Sequence, residues 1–178
     1  MDKIRELKNN LKVKSHFTRC QALKELAGMG IKAEAVLDEI IACLDDDLAI
    51  VQLNAIETLR SIKTRSNKAI QGLIIVYKKH IYGRGCTFSC CGGDALYESD
   101  IVRACLEILG AIDNTGSFEK IVSELIQLEK EKKITRKDCQ ELVGGLQSLY
   151  PEKGRALQEY LLKNNLKTYL SNNTFFDT

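Results

Sequence analysis

One apolar template recurs four times along this chain, and a second template follows each copy at almost the same distance. Ala22, Leu23, Leu26 and Met29 correspond to Ala55, Ile56, Leu59 and Ile62, then to Cys105, Leu106, Leu109 and Ile112, then to Leu142, Val143, Leu146 and Leu149. Each set places apolar side chains at i, i+1, i+4 and i+7, which is one stripe of an amphipathic helix. The second template reads Val36, Leu37, Ile40 and Ile41; Ala69, Ile70, Leu73 and Ile74; Ile121, Val122, Leu125 and Ile126; and Ala156, Leu157, Tyr160 and Leu161. The step from first to second template is 14, 14, 16 and 14 residues. Such self-similarity predicts stacked helical hairpins, because one hairpin alone leaves a flank of its apolar stripe in water.

The fold class expected is therefore all-α, a right-handed α-solenoid of about four hairpins behind an N-terminal capping helix. Composition agrees: a single proline, Pro151, and no tryptophan leave little to interrupt helices. With 44% hydrophobic and 28% charged residues over 178 positions, the chain has the apolar mass to bury a core. End signals fall between the stripes. Ser15, Asp47 and either Ser99 or Asp100 sit where outer helices should be N-capped. Gly30 should close the first outer helix, and Pro151 should open the last inner one. Ile4, Leu7 and Leu11 form a lone stripe that reads as the cap. The expected layout is one domain over 1–178, with the cap at 2–12, repeats at about 15–45, 47–80, 99–130 and 135–163, an insertion at 81–97 and a tail at 165–178. In that tail Phe175 and Phe176 stand where a further outer helix would begin.

The segments DDDLAIVQLNAIETLRSI, from Asp45 to Ile62, and SDIVRACLEILGAI, from Ser99 to Ile112, carry an acidic turn, small residues and a closing Leu-x-x-Ile or Leu-Gly-x-Ile step. They resemble the HEAT-repeat signature, in the short form found in bacterial repeat proteins, and the resemblance spans about residues 2–163. It implies a solenoid whose inner helices line a concave binding face. The slot that holds arginine in such repeats is Arg19 in the first, Gln52 in the second, Val102 beside Arg103 in the third and Cys139 in the fourth. An arginine ladder here would be incomplete.

Between the second and third repeats the template step lengthens from 19 to 36 residues, which places an insertion of about 17 residues, IYGRGCTFSCCGGDALY, at Ile81 to Tyr97. The helix before it is unusual: its face away from the template shows Gln71, Gly72, Ile75 and Val76, where its counterparts are polar. His80, Cys86, Cys90 and Cys91 form the one cluster with soft metal-ligand chemistry, and zinc is the ion it would take. The same thiols beside Arg84 also allow a redox role, since a nearby cation favours thiolate. A third reading has them as small apolar side chains in a glycine-hinged loop. No phosphate-binding loop follows from the glycines, because no Lys-Ser/Thr step accompanies them.

The residues argue against an enzyme: two histidines, no nucleophile elbow and no paired carboxylates give catalysis little to use. The N-terminus lacks the apolar run of a signal peptide, and seven cysteines in odd number fit a reducing, cytoplasmic setting. No stretch is long enough for a membrane span. A net charge of +2 does not by itself indicate nucleic acid. Lys63, Arg65 and Lys68, then Lys78, Lys79, His80 and Arg84, are the basic clusters such a role would need, and HEAT-like alkylpurine DNA glycosylases offer a precedent by resemblance. The favoured expectation is a non-catalytic scaffold or adaptor, monomeric or weakly dimeric, that recognises a protein partner. Its contacts, assigned from helical register, are Asp38, Gln71, Ile75, Val76, Lys78, Glu124, Gln127 and Gln158.

Overall fold

The computed structural model describes residues 2–81, 94–112 and 118–170, with side chains over 3–81, 100–111 and 118–170. Every regular element among them is helical. They are α1 (Asp2–Asn10), α2 (His16–Met29), α3 (Leu37–Ala42), α4 (Ala49–Ile62), α5 (Asn67–Ile81), α6 (Asp94–Ile112), α7 (Glu119–Lys130), α8 (Arg136–Leu149) and α9 (Pro151–Lys163). Short 3-10 turns cover Gly30–Val36, Cys43–Asp45 and Lys167–Tyr169. No described helix is long and apolar enough to cross a membrane. The chain divides into two compact units, 1–105 and 106–178, with the boundary inside α6.

In the first unit the two template stripes form the core. Ala22, Leu23 and Leu26 of α2 and Ala55, Ile56, Leu59 and Ile62 of α4 are buried, and α2 packs directly on α4. Thr58 ties them further, its hydroxyl reaching the Leu23 carbonyl at 3.0 Å. The capping helix α1 lies against α2 and buries Leu7. α5 buries Ala69, Ile70, Leu73 and Ile74. It approaches the preceding turn so closely that a Cβ on Gly72 would stand 2.8 Å from Leu44 Cδ1. The absent side chain is what admits that contact.

The predicted helix ends hold in part. Ser15 accepts from the Thr18 amide at 3.3 Å, Gly30 ends α2 at φ 56°, and Pro151 opens α9. Asp47 does not cap α4. That helix begins after Leu48, and the Leu48 amide donates to Asp46 Oδ1 at 3.1 Å. Ser99 and Asp100 start no helix either, since α6 has already begun at Asp94. The first inner segment is not one helix: a 3-10 turn precedes α3 and another follows it.

The second unit repeats the logic with different closures. Leu142, Val143 and Leu146 of α8 and Leu157 and Leu161 of α9 are buried against one another's hairpin partner. Gly154 lets the helices touch, because a Cβ there would lie 2.8 Å from Gln147 Cα. Tyr150 lies over Gly110 and donates to the Glu107 carbonyl at 3.3 Å, so the glycine of the Leu-Gly-x-Ile step has a packing role. Helix α7 ends with Lys132 at φ 57°, where the Lys133 amide reaches back to the Leu128 carbonyl at 3.0 Å. α9 ends the same way, with Asn165 at φ 58° and the Leu166 amide on the Leu161 carbonyl at 2.7 Å. Both are Schellman closures with the left-handed residue that glycine usually supplies.

Two substitutions should act in opposite directions. Lys132→Gly relieves a left-handed lysine and should raise stability by up to about 1 kcal/mol. Gly154→Ala forces a Cβ against backbone and should lower it by about 1–3 kcal/mol. Urea unfolding of the full chain checks both.

Candidate functional site

A buried polar seam runs through the first unit, built from the two repeat positions that carry Arg19 and Gln52. The Arg19 guanidinium forks onto Asp46, Nε to Oδ2 at 2.7 Å and Nη2 to Oδ1 at 2.9 Å. Its Nη1 donates to the carbonyls of Val13 at 2.9 Å and Lys14 at 2.8 Å. Arg19 therefore joins the turn before α2 to the turn before α4. One repeat later, Gln52 Nε2 donates to the backbone carbonyl of the same Asp46 at 2.5 Å. Gln52 is buried, and its Oε1 lies 2.6 Å from His80 Nε2. Arg19 and Gln52 thus converge on one aspartate, the first by a fork and the second by an amide.

The seam fixes the state of His80. Gln52 spends its amide N–H on Asp46, so its Oε1 must accept, and His80 Nε2 must carry the proton. In the neutral imidazole this leaves Nδ1 as a bare acceptor. His80 is only 3% exposed, and Nδ1 has no hydrogen-bond partner among the described residues. Burial, then the neighbouring Lys79 ammonium, holds its pKa below the usual histidine value. An imidazole whose Nε2–H is held by a carbonyl oxygen and whose Nδ1 is bare has the form of a metal ligand. Cys86, Cys90 and Cys91 lie outside the described residues. No group of three His, Cys, Asp or Glu among the described residues is arranged to hold a metal.

Burial disfavours the thiolate form of the described cysteines. Burial pushes Cys43 up to about 11 and Cys139 up to about 12, and it raises Cys20 and Cys105 as well. Cys43 borders a crevice of about 120 Å³ with Leu11, Lys12, Glu39, Ala42 and Asp46. Of its lining residues, Glu39 is held by Lys8 at 2.8 Å, which depresses its carboxyl pKa.

The residues assigned to partner contact by register separate into surface and interior. Gln71, Ile75 and Lys78 are partly exposed on one face of α5, whereas Val76 is 2% exposed and faces inward. Asp38 is exposed and pairs with Lys68 at 2.9 Å. Gln127 is exposed and donates to Glu131 at 2.6 Å, and Gln158 is partly exposed. Glu124 is 5% exposed, so the register that set it outward does not describe its side chain. Of the basic clusters, Lys79 pairs with Asp45, which leaves its charge partly neutralised.

Sequence reasoning missed two features. Leu162 is 49% exposed at the position of α9 that matches Ile75 of α5, and template arithmetic could have found it. The second is a clasp at the C-terminal end of the second unit. Arg136 forks onto Glu129 at 2.7 and 2.9 Å, covers the Tyr169 ring at 4.0 Å and donates to the Thr168 hydroxyl. Tyr169 donates to Glu129 Oε2 at 2.5 Å, and Gln140 donates to the Thr168 carbonyl at 2.9 Å. A cation in the first turn of α8 opposes the helix dipole, and Glu129 and the ring offset that cost. No local pattern announces this cluster, since its bonded partners are 7 to 40 residues apart.

His80 should make stability depend on pH. The unfolded chain takes up a proton near pH 6.5, while the folded imidazole resists it, so the contribution is intact above that pH and is lost as pH falls toward the folded pKa. Each pH unit in that window should cost up to about 1.4 kcal/mol. Urea midpoints between pH 7.5 and 5 should show this slope in the native chain and lose it in His80→Leu.

No protein-family model matches the chain, and no curated protein or solved structure is significantly similar to it.

Proposed function

We propose that this protein is a non-catalytic scaffold, in which short HEAT-like hairpins form a right-handed α-solenoid and bind another protein along the face lined by the inner helices. The register of α5 carries the reading. Gln71, Ile75 and Lys78 follow one another at i, i+4 and i+7 and keep partial exposure, while Ile70, Ile74 and Tyr77 beside them are buried. An apolar side chain between polar neighbours is the profile of a recognition surface. The raised thiol pKa values support recognition without covalent chemistry, and the cytoplasm is the compartment that keeps such thiols reduced.

The test is affinity capture from the native cytosol with three forms of the chain. A protein retained by the native form, reduced at least tenfold by Ile75→Glu and unaffected by Phe17→Glu supports the proposal. Equal capture by Ile75→Glu contradicts it, as does the absence of any saturable partner.

A second reading rests on one specific observation, the bare, buried Nδ1 of His80. In it the cysteine-rich insertion makes the protein a metal-responsive module, with His80, Cys86, Cys90 and Cys91 as the zinc ligands. Cobalt titration of the chelator-treated full chain decides it. The reading predicts a thiolate-to-cobalt absorption band that Cys90→Ser abolishes and His80→Ala weakens. A native chain that gives no band removes it.

A further inference from the structure

The outward face of α9 carries Glu152, Arg155, Glu159 and Lys163, spaced three, four and four residues apart. That spacing sets all four on one stripe of a helix, and all four are exposed. Their signs alternate, negative, positive, negative, positive. The neighbours are at the separations where intrahelical ion pairs form, yet none of the four makes an ion pair among the described residues. Leu162, 49% exposed, borders the stripe.

An alternating stripe of four has a particular symmetry. Laid antiparallel on a copy of itself about a two-fold axis between Arg155 and Glu159, it sets Glu152 opposite Lys163 of the other copy and Arg155 opposite Glu159. The two-fold repeats both contacts, so every charge meets its opposite and no like charges face each other. In the same arrangement Leu162 of each copy falls against the first turn of the other α9, beside Pro151, which is also exposed. A two-fold contact must be self-complementary in this way, and most charge patterns on a helix are not.

We propose that the outward face of α9 is a self-association surface, through which two copies of this chain pair antiparallel. The partner is a second copy because the pattern is complementary to itself. One 13-residue helix per copy offers less than the roughly 800 Å² per partner of a standard stable interface. The dimer is therefore weak, reversible and salt-sensitive, since exposed ion pairs carry it.

Sedimentation equilibrium on the full chain tests this with designed charge variants, all at exposed positions. One variant, Glu152→Lys with Glu159→Lys, makes the stripe wholly positive. The other, Arg155→Glu with Lys163→Glu, makes it wholly negative. The native chain should dimerise at low salt, with its dissociation constant rising at least tenfold between about 50 and about 500 mM salt. Each variant alone should be monomeric, and an equimolar mixture should form heterodimers. A native chain that stays monomeric at the highest attainable concentration overturns the proposal. So do variants that dimerise like the native chain, or a mixture that stays monomeric while circular dichroism shows both folded.

Discussion

Asp46 receives three demands at once, and the packing of the first unit follows from meeting all of them. Its carboxylate takes the fork of Arg19 from α2 and the Leu48 amide that opens α4. Its carbonyl takes the amide of Gln52 one turn into α4. The side chains of Arg19 and Asp46 are 15% and 11% exposed, so the pair is shielded enough for its hydrogen bonds to matter more than those of a surface pair. Because both donors occupy the same position of successive repeats, the aspartate sets α2 and α4 in register. The apolar stripes then face each other.

The seam also explains the condition of His80. A glutamine fixed at one end by Asp46 can offer only its oxygen at the other, and that choice selects the histidine tautomer. The result is a buried acceptor atom at the end of α5, one residue before the cysteine-rich insertion begins. Among the described residues the other buried polar groups include Thr58, on the Leu23 carbonyl, and Asp138, in the capping box with Thr135; further polar groups lie on exposed helix faces. Those faces divide in character. α5 mixes an apolar residue with polar neighbours, while the exposed stripe of α9 is charged in strict alternation.

Much of the helical pattern could be read from the residues, because it is periodic. Template positions such as Leu23, Ile56, Leu73 and Leu146 are buried as their spacing requires. Met29 and Leu149, at the ends of their stripes, are the outer-helix positions that stay open. Local signals fared less evenly. Ser15 and Pro151 act within one turn of themselves, so their roles are local and legible. Asp46 and Asp47 are adjacent acidic residues, and only the long-range demand of Arg19 decides between them. The burial of Val76 and Glu124 was not legible, because a helical wheel drawn for one face says nothing of neighbours that cover the other. The Tyr169 clasp joins three separate segments, and the symmetry of the α9 stripe becomes meaningful only once its four charges are known to be exposed and without an ion pair among the described residues.

The account depends most on Asp46 as the junction between α2 and α4. Urea unfolding of Asp46→Ala measures that directly. Removing the carboxylate strands a partly buried guanidinium and takes the acceptor from the Leu48 amide that precedes α4, and the predicted loss is about 2 kcal/mol or more. The amides of α2 and α4 should lose hydrogen-exchange protection together. A loss below about 0.5 kcal/mol, the range of an ordinary surface substitution, with protection unchanged in both helices, would contradict it.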